Sequence, residues 1–186
     1  MKKQLQKIFF LLFLTGCMTA PQYSFDSGLK SNKSYRVPFQ QIVFISNQKR
    51  FDSAHHIENS LPQSPEQIIQ NWIQKNLIED AHQTDTLQIV LHQAEIVREN
   101  LPSQHWWQPD YVKDTLNYDI EVIQSGDNST LNHRFNVAGK AYVQMGRRIS
   151  LAEKEKQWAK LYRTMLDHLE SEISTKIPHV IQSHQN

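Results

Sequence analysis

From residue 37 onward the apolar positions follow two rhythms, a period of two and a period of 3.6, and their order along the chain lays out the elements. Gln41 to Ser46 is a short β-branched and aromatic run, which predicts a strand. Asn47 to Gln63 lacks periodicity and reads as a long loop. Ser64-Pro65-Glu66-Gln67 then supplies Ser at an N-cap, Pro at the first helical position and Gln at N3. Ile68, Ile69, Trp72, Ile73 and Leu77 behind it form one apolar stripe, so a helix is expected to end around 76–79. Leu87, Ile89 and Leu91 alternate with Gln88, Val90 and His92, and the phase slips by one at Ala94 and Ile96, which places a bulge near Gln93. Leu116, Tyr118, Ile120 and Val122 make a second alternating strand, followed by a Ser125-Gly126-Asp127-Asn128 turn. A third carries Leu131, His133, Phe135, Val137, Gly139, Ala141, Val143 and Met145 on one face. Ser150 to Glu153 reads as a second capping box. Trp158, Leu161, Tyr162, Met165, Leu166, Leu169 and Ile173 then ladder down a final helix that frays from Thr175 and stops at Pro178.

The order β-α-β-β-β-α leaves two amphipathic stripes and one apolar sheet face to be buried together. The expected fold is therefore α+β, a two-layer sandwich with both helices on one face of a four-stranded, mostly antiparallel sheet. If the first two strands are parallel, the crossover between them is right-handed.

The first 36 residues follow another logic. Lys2, Lys3 and Lys7 precede an apolar run from Ile8 to Leu14, and Thr15-Gly16 leads into Cys17. Such a run spans about 10 Å as a helix, against the roughly 20 residues needed to cross a bilayer, so it reads as an export signal rather than a transmembrane helix. The expected organisation is a signal peptide over 1–16, a modified Cys with a polar tether over 17–36, one domain over 37–180 and a frayed tail over 181–186. A flexible coil of the tether's length has an end-to-end distance of about 24 Å.

Composition narrows the function. The chain carries 20 Lys+Arg against 19 Asp+Glu, and removing Lys2, Lys3 and Lys7 with the signal leaves 17 against 19, a net of −2. A nucleic-acid partner is not expected from that balance. The chain has a single Cys, so internal disulfides and Cys-based zinc sites are excluded. No Gly-x-Ser-x-Gly, His-Glu-x-x-His or phosphate-binding glycine loop is present, and neither catalysis nor a cofactor is expected.

Four groups merit weighing. His55-His56, with Asp52 or Glu58, could seed a metal site, but no second ligand pair follows at useful spacing, and structural or solvated histidines are expected. Asp110 and Asp114 are read as solvated carboxylates on a loop. Leu101 to Val112 packs Trp106 and Trp107 between Pro102 and Pro109, with Tyr111 two residues beyond, in a connection too long for a tight hairpin. Those aromatics either contact a partner protein or lipid or cover one end of the protein's own core. Lys140, Arg147, Arg148, Lys154, Lys156, Lys160 and Arg163, offset by Glu153 and Glu155, form a local basic excess. It is either wet surface or a site for an anionic lipid or lipopolysaccharide.

The Leu14-Thr15-Gly16-Cys17 sequence resembles the lipobox of bacterial lipoprotein precursors, which implies cleavage before Cys17 and lipidation of that residue. With acyl chains contributing roughly 0.8 kcal/mol per buried CH₂, such an anchor is stable. In that class Asp after the Cys favours the inner membrane; Met18 stands here, so the resemblance implies the outer membrane. Ser64-Pro65-Glu66-Gln67 with Trp72, Gln93 to Val97, and Ser150 to Glu155 together resemble a family of small bacterial lipoproteins over most of the mature chain. The architecture alone is similar to the lipopolysaccharide-assembly lipoprotein and to auxiliary lipoproteins of lipid-transporting ABC systems. These likenesses imply a non-catalytic accessory in outer-membrane assembly or lipid transport, partnered with an outer-membrane barrel or an envelope transport complex. The alternatives are a periplasmic ligand-binding module and an ABC auxiliary subunit.

Overall fold

A computed structural model describes residues 29, 33–48, 55–103, 105–107, 109–126, 133–177 and 181–184. Its elements are β1 (Lys33–Arg36), β2 (Gln41–Ser46), α1 (Pro65–Asn76), β3 (Leu77–Ile78), β4 (Thr86–Leu101), β5 (Tyr111–Ser125), β6 (His133–Gly146), α2 (Leu151–Lys176) and β7 (Ile181–His184). The main sheet has the order β2-β4-β5-β6, with β2 and β4 parallel and the other pairs antiparallel. The expected α+β sandwich is what forms: α2 packs across β5 and β6, α1 packs on β4, and the two helices touch.

The inner face of the sheet was set by alternation. Leu87, Ile89 and Leu91 on β4, Leu116, Ile120 and Val122 on β5, and Val137, Ala141 and Met145 on β6 are all buried. So is every rung of the α2 ladder from Trp158 to Ile173. The bulge falls between Leu91 and Gln93. Beyond it the inward positions on β4 change from odd to even numbers, which keeps Ala94 and Ile96 in the core and turns Arg98 inward as well.

Ser64 caps α1 with a complete capping box: Gln67 N donates to Ser64 Oγ and Ser64 N to Gln67 Oε1. At α2 only half of the expected box forms. Glu153 N donates to Ser150 Oγ, while the Glu153 carboxylate accepts from Gln157 Nε2 one turn on. The helix also holds through Lys176 instead of fraying at Thr175, because Ile177 is buried and its N–H donates to Ile173 O.

The expected division of the chain needs two corrections. Residues 33–36 belong to a strand rather than a tether, and 181–184 form a strand rather than a frayed tail. They come together as a second sheet, β3-β1-β7, with β1 parallel to β3 and antiparallel to β7. Burial explains β1: Ser34 and Tyr35 are inside, and the Tyr35 hydroxyl donates to Glu170 on α2. The 47–63 loop also carries structure. His56 bridges to Val97, and residues 55–57 exchange backbone bonds with Ile96 and Arg98, continuing the edge of β4 where β2 stops.

Candidate functional site

The antiparallel register brings the ends of three strands together. Tyr111 at the start of β5 lies opposite Leu101 at the end of β4 and Gly146 at the end of β6. The 102–110 connection and the β6–α2 turn at Arg147-Arg148 therefore project from the same end of the sheet. Asp110 ties them. Its Oδ1 accepts from Ser103 N at 3.1 Å across the neck of the loop, its carbonyl accepts from Arg147 N at 2.9 Å, and its Oδ2 lies 3.9 Å from Arg147 Nη1. Sequence reasoning treated Asp110 as solvated; it is exposed, yet it fastens the tip.

Above that neck Trp106 is 92% exposed and Trp107 64%, with Tyr111 at 38%. The two indoles meet edge to face, with centroids 5.8 Å apart at 89°, and His105 stacks on Trp107 at 4.5 Å and 4°. These rings contact one another while the core lies below them. Leu151, 65% exposed, opens α2 beside the Arg147-Arg148 turn. Tyr142 is exposed on the outer face of β6, with Lys113 Nζ 5.3 Å from its ring centroid. Neither Leu151 nor Tyr142 is among the contact residues the sequence suggested. Leu151 sits seven residues before Trp158, in phase with the buried ladder, and only its place in the first turn at the sheet's end leaves it outside.

Directly beneath, the structure overturns the expectation for Asp114. It lies in β5, not in a loop, and is fully buried. Arg98 Nε and Nη2 donate to its two oxygens, each at 2.7 Å, and Trp158 Nε1 donates to Oδ2 at 2.7 Å. Hydrogen bonding to Asp114 raises the affinity of the Arg98 guanidinium for its proton. One carboxylate thus clamps β4, β5 and α2 under the tip. Asp110 and Asp114 do not act as a pair.

The remaining candidates separate. His55 is exposed, while His56 Nδ1 lies 3.4 Å from Glu58 and 3.6 Å from Glu95. No group of three His, Cys, Asp or Glu side chains among the described residues is arranged to hold a metal ion; Asp52 lies outside those residues. The basic excess is divided, since Lys140 projects from the outer face of β6 and the α2 lysines belong to the other layer. Of that group, Arg147 and Arg148 are the ones placed with the aromatic tip. Cys17 lies outside the described residues.

At the other end of α2, Glu170 accepts from the Tyr35 hydroxyl and from Lys33 Nζ. Burial, then Glu170, pushes the Tyr35 phenol well above its ordinary range, and the hydrogen bond to Glu170 raises Lys33. Burial also raises the Asp167 carboxyl. Between the two ends, Tyr118 Oη pairs with His168 Nδ1 at 2.8 Å across Gly139, where a Cβ would stand 2.5 Å from Tyr118 Oη.

No family model matches the chain, and no curated protein matches it. Solved structures similar to it include a minor lipoprotein from Acinetobacter baumannii, at 10% identity and TM-score 0.39, covering 80% of this chain and 98% of that one. The rare lipoprotein B from Shewanella oneidensis is similar at 14% identity and TM-score 0.38, covering 74% and 96%. A Helicobacter pylori homolog of a neuraminyllactose-binding hemagglutinin is similar at 12% and 0.43, covering 79% and 91%.

Proposed function

We propose that the chain is a bacterial lipoprotein, cleaved before Cys17 and held by acyl chains on that residue at the periplasmic face of the outer membrane. Its folded body then serves as a non-catalytic accessory in outer-membrane assembly or lipid transport. The observation that carries this reading is Leu14-Thr15-Gly16-Cys17 behind the Ile8 to Leu14 run, with Cys17 the only Cys in 186 residues. Among the described residues no helix is long and apolar enough to cross a membrane. In this reading the anchor supplies attachment, and Trp106, Trp107, Tyr111, Arg147 and Arg148 form the contact surface for a partner protein or lipid.

The test is the intact mass of the native protein together with its fractionation. A chain starting at Cys17 and carrying acyl mass, recovered with outer membranes and released by Cys17→Ala, is the expected result. An unmodified mass with full recovery in the soluble fraction would overturn it. Crosslinking and pull-down then separates the roles. Recovery with an outer-membrane barrel supports the assembly role, and recovery with an ATPase complex reassigns the chain to a transporter.

A further inference from the structure

We infer that the 102–110 tip, with the Arg147-Arg148 turn beside it, seats in the headgroup region of an anionic phospholipid bilayer. The lipid anchor would then have a second attachment some distance away on the body. This rests on the anchored-lipoprotein reading above. Of the six large apolar side chains exposed among the described residues, Trp106, Trp107, Tyr111 and Leu151 gather at this one end of the sheet. Trp and Tyr are the residues that settle at a membrane–water interface, where a broad apolar ring meets lipid and a polar atom stays wet. The cations beside them match the charge of acidic headgroups, and Arg suits phosphate oxygens in particular. Arg148 and Arg147 are both exposed, and the Arg147 guanidinium stands at a long 3.9 Å from the Asp110 carboxylate. The tip is also pre-organised: Asp110 closes its neck, the rings brace one another, and Asp114 clamps the strands below. Little ordering cost remains to be met on contact.

The chain length between anchor and body permits this seating. β1 begins at Lys33, bonded to Glu170, and Glu170 lies 19 residues along α2 from Leu151, or about 28 Å. The anchored stretch therefore joins the body far from the tip. The 12 steps from Cys17 to Leu29, which is partly buried against the core, reach at most about 43 Å, enough to run back to the membrane on which the tip rests. The two attachments would hold the tip end of the sheet against the bilayer instead of letting the body swing freely.

The test uses the full mature protein with its native N-terminus, reconstituted in phosphatidylglycerol vesicles whose acyl chains carry bromine near the headgroup or near the chain end. Trp72 and Trp158 are 4% exposed, so quenching reports Trp106 and Trp107. Quenching by the shallow bromine, weaker quenching by the deep one, and its loss in Trp106→Ala/Trp107→Ala that still floats with the vesicles is the expected result. Emission from vesicle-bound protein that ignores bromine at both depths would overturn the seating while leaving the anchor intact. So would quenching that persists in the double variant. Protein that does not float with vesicles and carries no acyl mass would bring down both readings.

Discussion

The two ends of the sandwich treat aromatic side chains in opposite ways. At the β1 end Tyr35 is 2% exposed and its hydroxyl has a carboxylate partner on α2. At the hairpin end Trp106 and Trp107 stand in solvent, with only His105 and each other as ring partners among the described residues. Trp158 shows that the tip end can bury an indole when a polar atom is available, since its Nε1 donates to Asp114 just below. The difference lies in position relative to the sheet. Side chains level with the strands can reach both the apolar face and a carboxylate, and side chains beyond Leu101 can reach neither. The clamp holds elements of the fold together and the tip is the proposed contact surface, so substitutions in each should separate cleanly.

The largest effect should follow Asp114→Ala. Removing the carboxylate takes their acceptor from the buried Trp158 N–H and the Arg98 guanidinium. Breaking a fully buried ion pair from one side costs about 3–5 kcal/mol, and the 27% exposure of the Arg98 side chain sets the expected loss at the lower end of that range. Urea unfolding followed by Trp emission measures it. A loss below about 1 kcal/mol would mean that the clamp does not hold the base of the tip, and the contrast between the two layers of this end would go with it.

Gly139→Ala comes next. The new Cβ would lie 2.5 Å from Tyr118 Oη and 2.8 Å from its Cζ, so the ring must move and release His168. Overpacking of this kind costs about 1–3 kcal/mol. Adding Tyr118→Phe, which removes the nearest atom, should recover part of the loss; equal stability of the single and double variants would refute the steric account.

Tyr35→Phe sharpens the other side of the comparison. It deletes one hydrogen bond to a charged acceptor, at a cost of about 1.5–3 kcal/mol, less where water can reach Glu170. The pH dependence has a definite sign. Burial first, and Glu170 second, raise the folded-state pKa of Tyr35 above its unfolded value. Its contribution is therefore fully present below about pH 10 and is lost as pH climbs through the folded value. Burial raises Tyr118 and Tyr162 in the same direction. Native stability should fall at alkaline pH, and Tyr35→Phe should fall less steeply across that window. Parallel profiles for the two proteins would show that Tyr35 does not contribute.

What the sequence made legible was whatever repeats locally. The α2 ladder, the inner rows of β4, β5 and β6, the Ser64 cap and the bulge follow from spacing within a single element, and the structure places them accordingly. The β3-β1-β7 sheet was not legible. Lys33-Ser34-Tyr35-Arg36 is too short and too polar to show a period, and it becomes a strand only by pairing with residues some 40 and 150 positions away. Asp114, read as a solvated loop carboxylate, was misplaced. Its phase with Val112 and Leu116 puts it on the inner face, but its partner depends on the bulge, which turns Arg98 inward directly opposite it. Of the proposed contact surface, the aromatic loop was visible as composition. The joining of Arg147 to it through Asp110 needed the register of three strands.

The smallest effect on stability, and the one that most directly tests the contrast, belongs to Trp106→Ala/Trp107→Ala. Indoles that are 92% and 64% exposed contribute little to folding, and surface substitutions usually stay within about 0.5 kcal/mol. The melting temperature should therefore move by only a few degrees while function is impaired. Measured beside Asp114→Ala, the pair of results assigns the two layers of one end to different tasks. A drop comparable to that of Asp114→Ala would mean that the indoles cover the protein's own core in solution. The tip would then be a lid on the sandwich, and its aromatic composition would have the same explanation as that of Trp158.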